Sequence, residues 1–321
     1  LEIERQEISN LSFDLKGNIV DQRIDLYVAS TFVRETLIHN SNISPQGDAG
    51  NQEITGFITD ALGALIETSY QYITNRVFDS DSNVKNQQVL NYLDHTKAIL
   101  LDVQEIRNEL FDSRGNVLVQ KIATFTDETL STLLDVKVIT NENLDALGNA
   151  SRVTILKYAA GFIDAQGYIQ YSNFMDGTVI ETSIFDLRGN ALAQTVRKYS
   201  DEALAALIET QAITSSYDMR DRQVHSRIIT TNSLGSFVDR QEIDYLSYDA
   251  YGNVVDQDIA RYGETDALID YKVIHNEYLD PLAARRGNAT HTTITRFADI
   301  AKTLEIERQE ISNLSFDLKG N

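Results

Sequence analysis

Along most of this chain apolar and polar residues alternate, and short polar clusters holding Asp, Gly or Asn break the alternation at intervals. In Glu7-Ile8-Ser9-Asn10-Leu11-Ser12-Phe13 one phase carries most of the apolar residues. Val117 to Phe125 alternates with still more β-formers. A period of two predicts strands with one face turned to a core. The breaks read Phe13-Asp14-Leu15-Lys16-Gly17-Asn18, Phe111-Asp112-Ser113-Arg114-Gly115-Asn116, Phe185-Asp186-Leu187-Arg188-Gly189-Asn190 and Tyr248-Asp249-Ala250-Tyr251-Gly252-Asn253. An Asp at the first turn position bonds back to the backbone, and the Gly three residues on accepts a left-handed conformation. The pattern is strand, tight turn, strand.

The turns mark a repeat. Residues 1–18 recur letter for letter as 304–321, an offset of 303. Taking the last residue of each turn as a marker gives Asn18, Asn51, Asn83, Asn116, Asn149, Asn190, Arg222, Asn253, Asn288 and Asn321. These delimit nine units of about 33 residues, with one longer step of 41. Six residues after each marker stands Ile24, Phe57, Val89, Ile122, Ile155, Val196, Ile228, Ile259 or Ile294. Nine residues after it an aromatic is usual, from Tyr27 and Tyr92 to Phe297, with Asp60 and Thr231 as exceptions.

Between hairpins the pattern changes. Ser200 to Glu209, Thr126 to Asp135 and Thr59 to Glu67 begin with a capping residue or an acid and continue in helix formers, which predicts one to two helical turns. Such a span is too short for a parallel crossover, so successive hairpins should run antiparallel. Two turns are irregular. Ser44-Pro45-Gln46-Gly47-Asp48 replaces the aromatic-Asp start, and Asp280 to Asn288 lengthens its turn by four. The 41-residue step carries Ala160 to Tyr168 and Met175 to Thr178, which reads as an extra hairpin in place of a helix.

The fold class expected is mainly β with short helical connectors. It is a tandem β-hairpin array, an elongated antiparallel strip that is coiled or tubular. No Pro-, Gly- or Ser-rich linker interrupts 1–321, so a single continuous array is expected, one super-period of 303 residues plus an 18-residue overlap.

Composition narrows the partners. The chain is 42% hydrophobic and 24% charged, enough apolar surface to fold. A net charge of −20 repels nucleic acid and anionic lipid and could attract cations. There is no cysteine, hence no disulfide and no thiolate metal site. No apolar run approaches the roughly 18 residues of a helical span, and no membrane insertion is expected.

The aromatic-Asp-x-x-Gly-Asn turns at 13–18, 111–116, 185–190, 248–253 and 316–321 resemble the Tyr-Asp (YD) repeats of the RHS and teneurin class. Leu144–Asn149, Phe78–Asn83 and Tyr217–Arg222 are degenerate copies. The resemblance implies hairpins joined into a strip that coils into a hollow shell. The spacing departs from it, since units in that family are shorter.

Candidate chemistry is sparse. Asp79, Asp81 and Asn83 form an Asp-x-Asp-x-Asn start that could offer alternate oxygens to calcium. Val84 and Leu90 then stand where the calcium loop needs Gly and Glu, and Asp79 is also this unit's turn Asp. His39, His95, His225, His275 and His291 form no metal-binding spacing. No phosphate-loop, dinucleotide or nucleophile-elbow motif is present. The recurring tyrosines read as strand-end packing with the hydroxyl reaching water.

The residues that carry the pattern are therefore structural: Asp14, Gly17, Asn18, Asp112, Gly115, Asn116, Asp186, Gly189, Asn190, Asp249, Gly252 and Asn253. The expectation is a structural repeat protein without catalysis or cofactor. It would be one period of a long extracellular filament, sheath or surface fibre that pairs end to end with further copies. The alternative is an adhesin stalk or shell module serving a separate functional domain.

Overall fold

The computed structural model describes residues 3–60 and 62–316. The second copy of the opening turn, Asp317 to Asn321, lies outside them. The strands are β1 (Glu4–Phe13), β2 (Ile19–Val28), β3 (Thr31–Ile43), β4 (Ala49–Thr59), β5 (Leu65–Phe78), β6 (Val84–Tyr92), β7 (Leu100–Phe111), β8 (Val117–Phe125) and β9 (Leu133–Leu144). They continue as β10 (Ala150–Ile163), β11 (Ile169–Phe185), β12 (Ala191–Tyr199), β13 (Leu207–Tyr217), β14 (Gln223–Asn232), β15 (Phe237–Tyr248), β16 (Val254–Tyr262) and β17 (Leu268–Glu277). One helical turn, α1 (Pro281–Arg285), precedes β18 (His291–Phe297) and β19 (Glu305–Ser312). Strands pair antiparallel with their sequence neighbours, as β1 with β2, β7 with β8 and β16 with β17. The chain divides into two compact units, one of residues 1–142 with 155–175, the other of 143–154 with 176–321.

The predicted alternation is what the sheet uses. In the first unit Ile8 faces Ile24, Ile38 faces Ile54, Ile73 faces Val89 and Ile106 faces Ile122 across neighbouring strands. In the second, Ile180 faces Val196, Ile213 faces Ile228, Ile243 faces Ile259 and Ile274 faces Ile294. Each pair joins the residue six after a marker to an aliphatic partner on the strand before. Such cross-strand pairs contribute roughly 0.2–1 kcal/mol each beyond alanine.

One marker moves. The turn after β3 is Ser44–Asp48, closed by Gly47 N donating to Ser44 O at 3.1 Å, so its last residue is Asp48 and not Asn51. Counted from Asp48, the sixth residue is Ile54 and the ninth is Phe57. Asp60 ceases to be an exception. Proline and the Ser44 hydroxyl, which accepts Gln46 N and Asp48 N, had disguised an ordinary turn of the series.

The helical connectors are absent at the three expected places. Thr126–Thr132 and Ser200–Ala206 are hairpin turns, closed by Thr126 N to Thr132 O and Ser200 N to Ala206 O, both 3.0 Å. Leu130 and Leu204 take left-handed backbone, each with φ 57°. Asp60 and Ala64 are joined likewise, Asp60 N to Ala64 O at 2.9 Å, with residue 61 outside the described residues. The acids expected in a first helical turn, not the expected caps Thr126 and Ser200, hold these turns. Asp127 accepts Ser131 N and Thr132 N, and Asp201 accepts Ala205 N and Ala206 N. A span this short is marginal as a helix, and the strand ladders on both sides win. Every unit is thus strand, marker turn, strand, second turn. The one short helix stands in a marker position instead, where Asp280 caps it by accepting Ala283 N and buries Ala283 and Ala284.

The 41-residue step adds no strands. It lengthens β10 and β11 around a turn at Asp164–Tyr168, closed by Gly167 N to Asp164 O at 2.9 Å. The tip of this hairpin belongs to the first unit and packs on its strands β7 and β8. Arg107 of β7 donates Nε to Gly167 O at 2.7 Å, and Lys121 of β8 lies 5.5 Å from the centre of the Tyr171 ring. Beneath the flap Val103, Ala123 and Val136 are wholly buried, clustered with Tyr70, Tyr92, Phe125, Tyr158 and Ile169. Tyr158 packs on Tyr171 at 4.5 Å and on Phe174 at 5.8 Å. The flap supplies the second apolar layer that a sheet needs to bury a face.

Candidate functional site

The predicted turn residues form the most regular feature of each unit. In the first marker turn Asp14 Oδ1 accepts Lys16 N at 2.8 Å and Asn18 N at 2.9 Å, and Oδ2 accepts Asn18 Nδ2 at 2.8 Å. The same three bonds hold Asp112 to Arg114 and Asn116, Asp186 to Arg188 and Asn190, and Asp249 to Tyr251 and Asn253. Three donors on one carboxylate favour its charged form. The Asn116 side-chain amide and backbone hold Asp112 down at about 2. Asn18 lowers Asp14 in the same way.

Five marker asparagines then meet the next marker turn. A Cβ placed on Gly115 would lie 2.5 Å from Asn83 Oδ1, one on Gly189 2.8 Å from Asn149 Oδ1, and one on Gly47 3.5 Å from Asn18 Oδ1. Asn190 Nδ2 donates to Asp221 Oδ1 at 2.7 Å, and Asn253 Nδ2 donates to Ala284 O at 2.7 Å. Gly115 and Gly189 therefore have two duties, a left-handed φ and room for the preceding asparagine.

A second row runs inside the strands. Asn40 Nδ2 donates to Ile19 O, Asn108 to Val84 O and Asn141 to Val117 O, at 3.1, 2.7 and 3.0 Å. In the second unit Asn276 donates to Val254 O at 3.0 Å. Their amide oxygens are used as well: Gln52 Nε2 donates to Asn40 and Gln120 Nε2 to Asn108, at 2.8 and 2.7 Å. This ladder escaped the sequence reading. Its signal was present as Asn eight residues before a marker and Gln four after it, legible once Asp48 replaces Asn51.

Asp79 is placed as a turn residue. Its Oδ1 accepts Asp81 N and Asn83 N, each at 2.9 Å, and Oδ2 accepts Asn83 Nδ2 at 3.0 Å. These are the bonds of Asp14. Among the described residues no group of three or more His, Asp or Glu side chains is arranged to hold a metal ion.

The histidines sit beside acids or hydroxyls on neighbouring strands. His39 Nδ1 lies 2.7 Å from Asp21, His275 Nδ1 2.7 Å from Asp256 and His225 Nδ1 2.8 Å from Asp244. Ser12 donates to Asp21 and Ser247 to Asp256. In both trios the carboxylate stands between serine and histidine, so the imidazole is not positioned to take the serine's proton. The trios are equivalent points of the repeat. Two core tyrosines meet carboxylates: Tyr70 donates to Glu53 and Tyr92 to Glu128. Burial, then that contact, pushes both hydroxyls up to about 12.

No protein-family model and no curated protein matches the chain. Among solved structures, a crystal structure of TcdB2-TccC3 aligns with 99% of this chain and 23% of that one, at 10% identity and TM-score 0.18. The TcdB2-TccC3-Cdc42 crystal structure aligns at 11% identity and TM-score 0.15, over 96% of this chain and 20% of that one. The Photorhabdus luminescens Tc holotoxin pore gives 12% identity and TM-score 0.13, over 89% and 19%. The chain spans less than a quarter of each, and likeness at this level carries no functional argument. No helix among the described residues is long and apolar enough to cross a membrane.

Proposed function

We propose that the chain is a structural repeat protein, a segment of a self-associating filament or sheath outside the cell, without catalytic activity. One observation carries the reading. The residues that could do chemistry are spent on the repeat itself, in the same role from unit to unit. Turn aspartates hold turn asparagines, turn asparagines meet the following turn, and strand asparagines bridge strands. Repeat arrays whose units bond chiefly to their neighbours extend naturally in one dimension. The acidic surface, with a net charge of −20, would keep such an array soluble and away from nucleic acid.

Light scattering across a concentration series tests this. The mass per particle should rise above that of one chain as concentration increases. A constant single-chain mass at every concentration contradicts the proposal.

A further inference from the structure

Arg76, in the first unit, stands outside the roles that the repeat assigns. Three residues before the opening Asp of other marker turns come Leu11, Glu109, Ser183, Ser215 and Leu246. At the same point before the turn at Asp79 the chain has a cation, Arg76. It is half-buried in β5 and lies 5.0 Å from the centre of the Phe78 ring. Its Nη1 donates to Ala49 O at 2.9 Å, and its Nε is buried without a partner. A guanidinium carries a fork of N–H donors, and this one is under-used. Burial pulls its pKa down, and the charge of Asp48 acts the other way.

Arg76 lines a groove of about 500 Å³ at the marker-turn end of the first unit, together with Asn18, Gln22, Gln52 and Asp48. No lining residue belongs to β1 or β19. The turns stand further apart here than elsewhere. A Cβ on Gly47 would lie 3.5 Å from Asn18 Oδ1, against 2.5 Å from Asn83 at Gly115 and 2.8 Å from Asn149 at Gly189. The second marker turn also ends in an acid, Asp48, where its neighbours end in Asn18 and Asn83.

The wall presents donors and acceptors together. Gln22 Nε2 donates to Asn10 and Gln52 Nε2 to Asn40, each at 2.8 Å. Those bonds fix both amides and leave their carbonyl oxygens to accept. Asp48 adds a carboxylate acceptor, and Arg76 adds N–H donors. These two are the charged residues of the lining, so the groove is neutral in sum although the chain carries −20. Pockets of roughly 300–1,000 Å³ hold small molecules, usually on apolar walls with a few polar groups. A wall of amides around one acid and one base selects a neutral ligand with hydroxyls side by side. Each hydroxyl of a sugar ring both donates and accepts, which matches that wall.

We propose that the groove at Arg76 binds a neutral sugar. Arg76 and Asp48 hold adjacent hydroxyls of one ring, and Gln22 and Gln52 accept from others. The site belongs to a single copy of the chain and does not depend on self-association.

Saturation-transfer NMR on the full-length chain tests it, with the methyl glycosides of glucose, galactose and mannose as neutral probes and sodium glucuronate as the charged one. At least one neutral glycoside should bind, and more tightly than glucuronate. Arg76→Gln and Gln52→Leu should each weaken that binding several-fold. Gln120→Leu breaks the corresponding bond to a strand asparagine, Asn108, outside the groove and should leave binding unchanged. If Arg76→Gln fails to fold, Gln52→Leu against Gln120→Leu decides. The site is overturned by no binding of any neutral glycoside, by tighter binding of glucuronate, by binding indifferent to a folded Arg76→Gln, or by equal losses in the two glutamine variants.

Discussion

Asn83 Oδ1 occupies the space beside Gly115 that a side chain would need, with a Cβ on that glycine coming within 2.5 Å of it. The contact links two marker turns that are 32 residues apart in sequence. At Gly115 the glycine thus serves more than its left-handed φ, which Ser82 adopts at the same position of its own marker turn with φ 62°.

Gly17 and Gly115 therefore separate two costs. Both have left-handed φ, 86° and 83°, but nothing lies within 4 Å of a Cβ on Gly17. Gly17→Ala should cost about 1–2 kcal/mol for backbone conformation alone. Gly115→Ala adds displacement of the Asn83 amide, a side-chain end that can turn aside, and should cost about 0.5–1.5 kcal/mol more. Urea denaturation of the two variants measures the difference, and equal losses would remove the inter-turn contact from the account.

The strand asparagines should matter where they are buried. Asn108 is 8% exposed, donates to Val84 O and accepts from Gln120. Asn108→Ala leaves the half-buried Val84 carbonyl and the Gln120 amide without this partner and should cost about 1 kcal/mol. Asn10, exposed and bonded to Gln22, should lose only a few tenths of a kcal/mol on the same change. Thermal melts of the pair check the ratio.

Acid should loosen the turns together. Asp14, Asp112 and Asp145 are lowered from 3.8 chiefly by the side-chain amides of Asn18, Asn116 and Asn149, and Asp112 reaches about 2. Asp186 is lowered too: desolvation, the largest single influence, raises it, but the bonds from the Asn190 side chain and backbone and from Arg188 together outweigh that. Groups depressed in the folded state stabilise it above their unfolded value, near 3.8. That contribution is lost as pH falls through the folded values. Denaturation midpoints should be flat from pH 7 to 5 and drop steeply between pH 4 and 2, and replacing the marker asparagines by alanine should blunt the drop.

The flap should be separable from the sheet. Arg107 holds its tip by a bond to Gly167 O, and a Cβ on Gly161 would lie 2.6 Å from both Gln170 O and Val136 Cγ2. Arg107→Met should raise hydrogen exchange in residues 160–175 while sparing β4 and β5. Gly161→Val should do so more strongly, because backbone cannot yield as a side-chain end can. Unchanged exchange in the flap would contradict its docking.

The strands and marker turns were legible because each is set by local chemistry, an alternating pattern and an Asp-x-x-Gly turn. The connectors were misread because Asp127 and Asp201 cap a single turn as they would a helix. Only the pairing of the flanking strands, which is not local, decides between the two. Asp48 was missed because Pro45 and Ser44 replaced the usual letters while keeping the turn's bonds. The flap was out of reach, since the contact of Arg107 with Gly167 joins residues 60 apart that no periodicity relates.

The central claim is that these units form a self-extending structural array. Electron microscopy of the purified full-length chain over a rising concentration series tests it most directly. The account predicts particles that lengthen along one axis by a constant increment of one copy. Uniform single-copy particles at every concentration would contradict it.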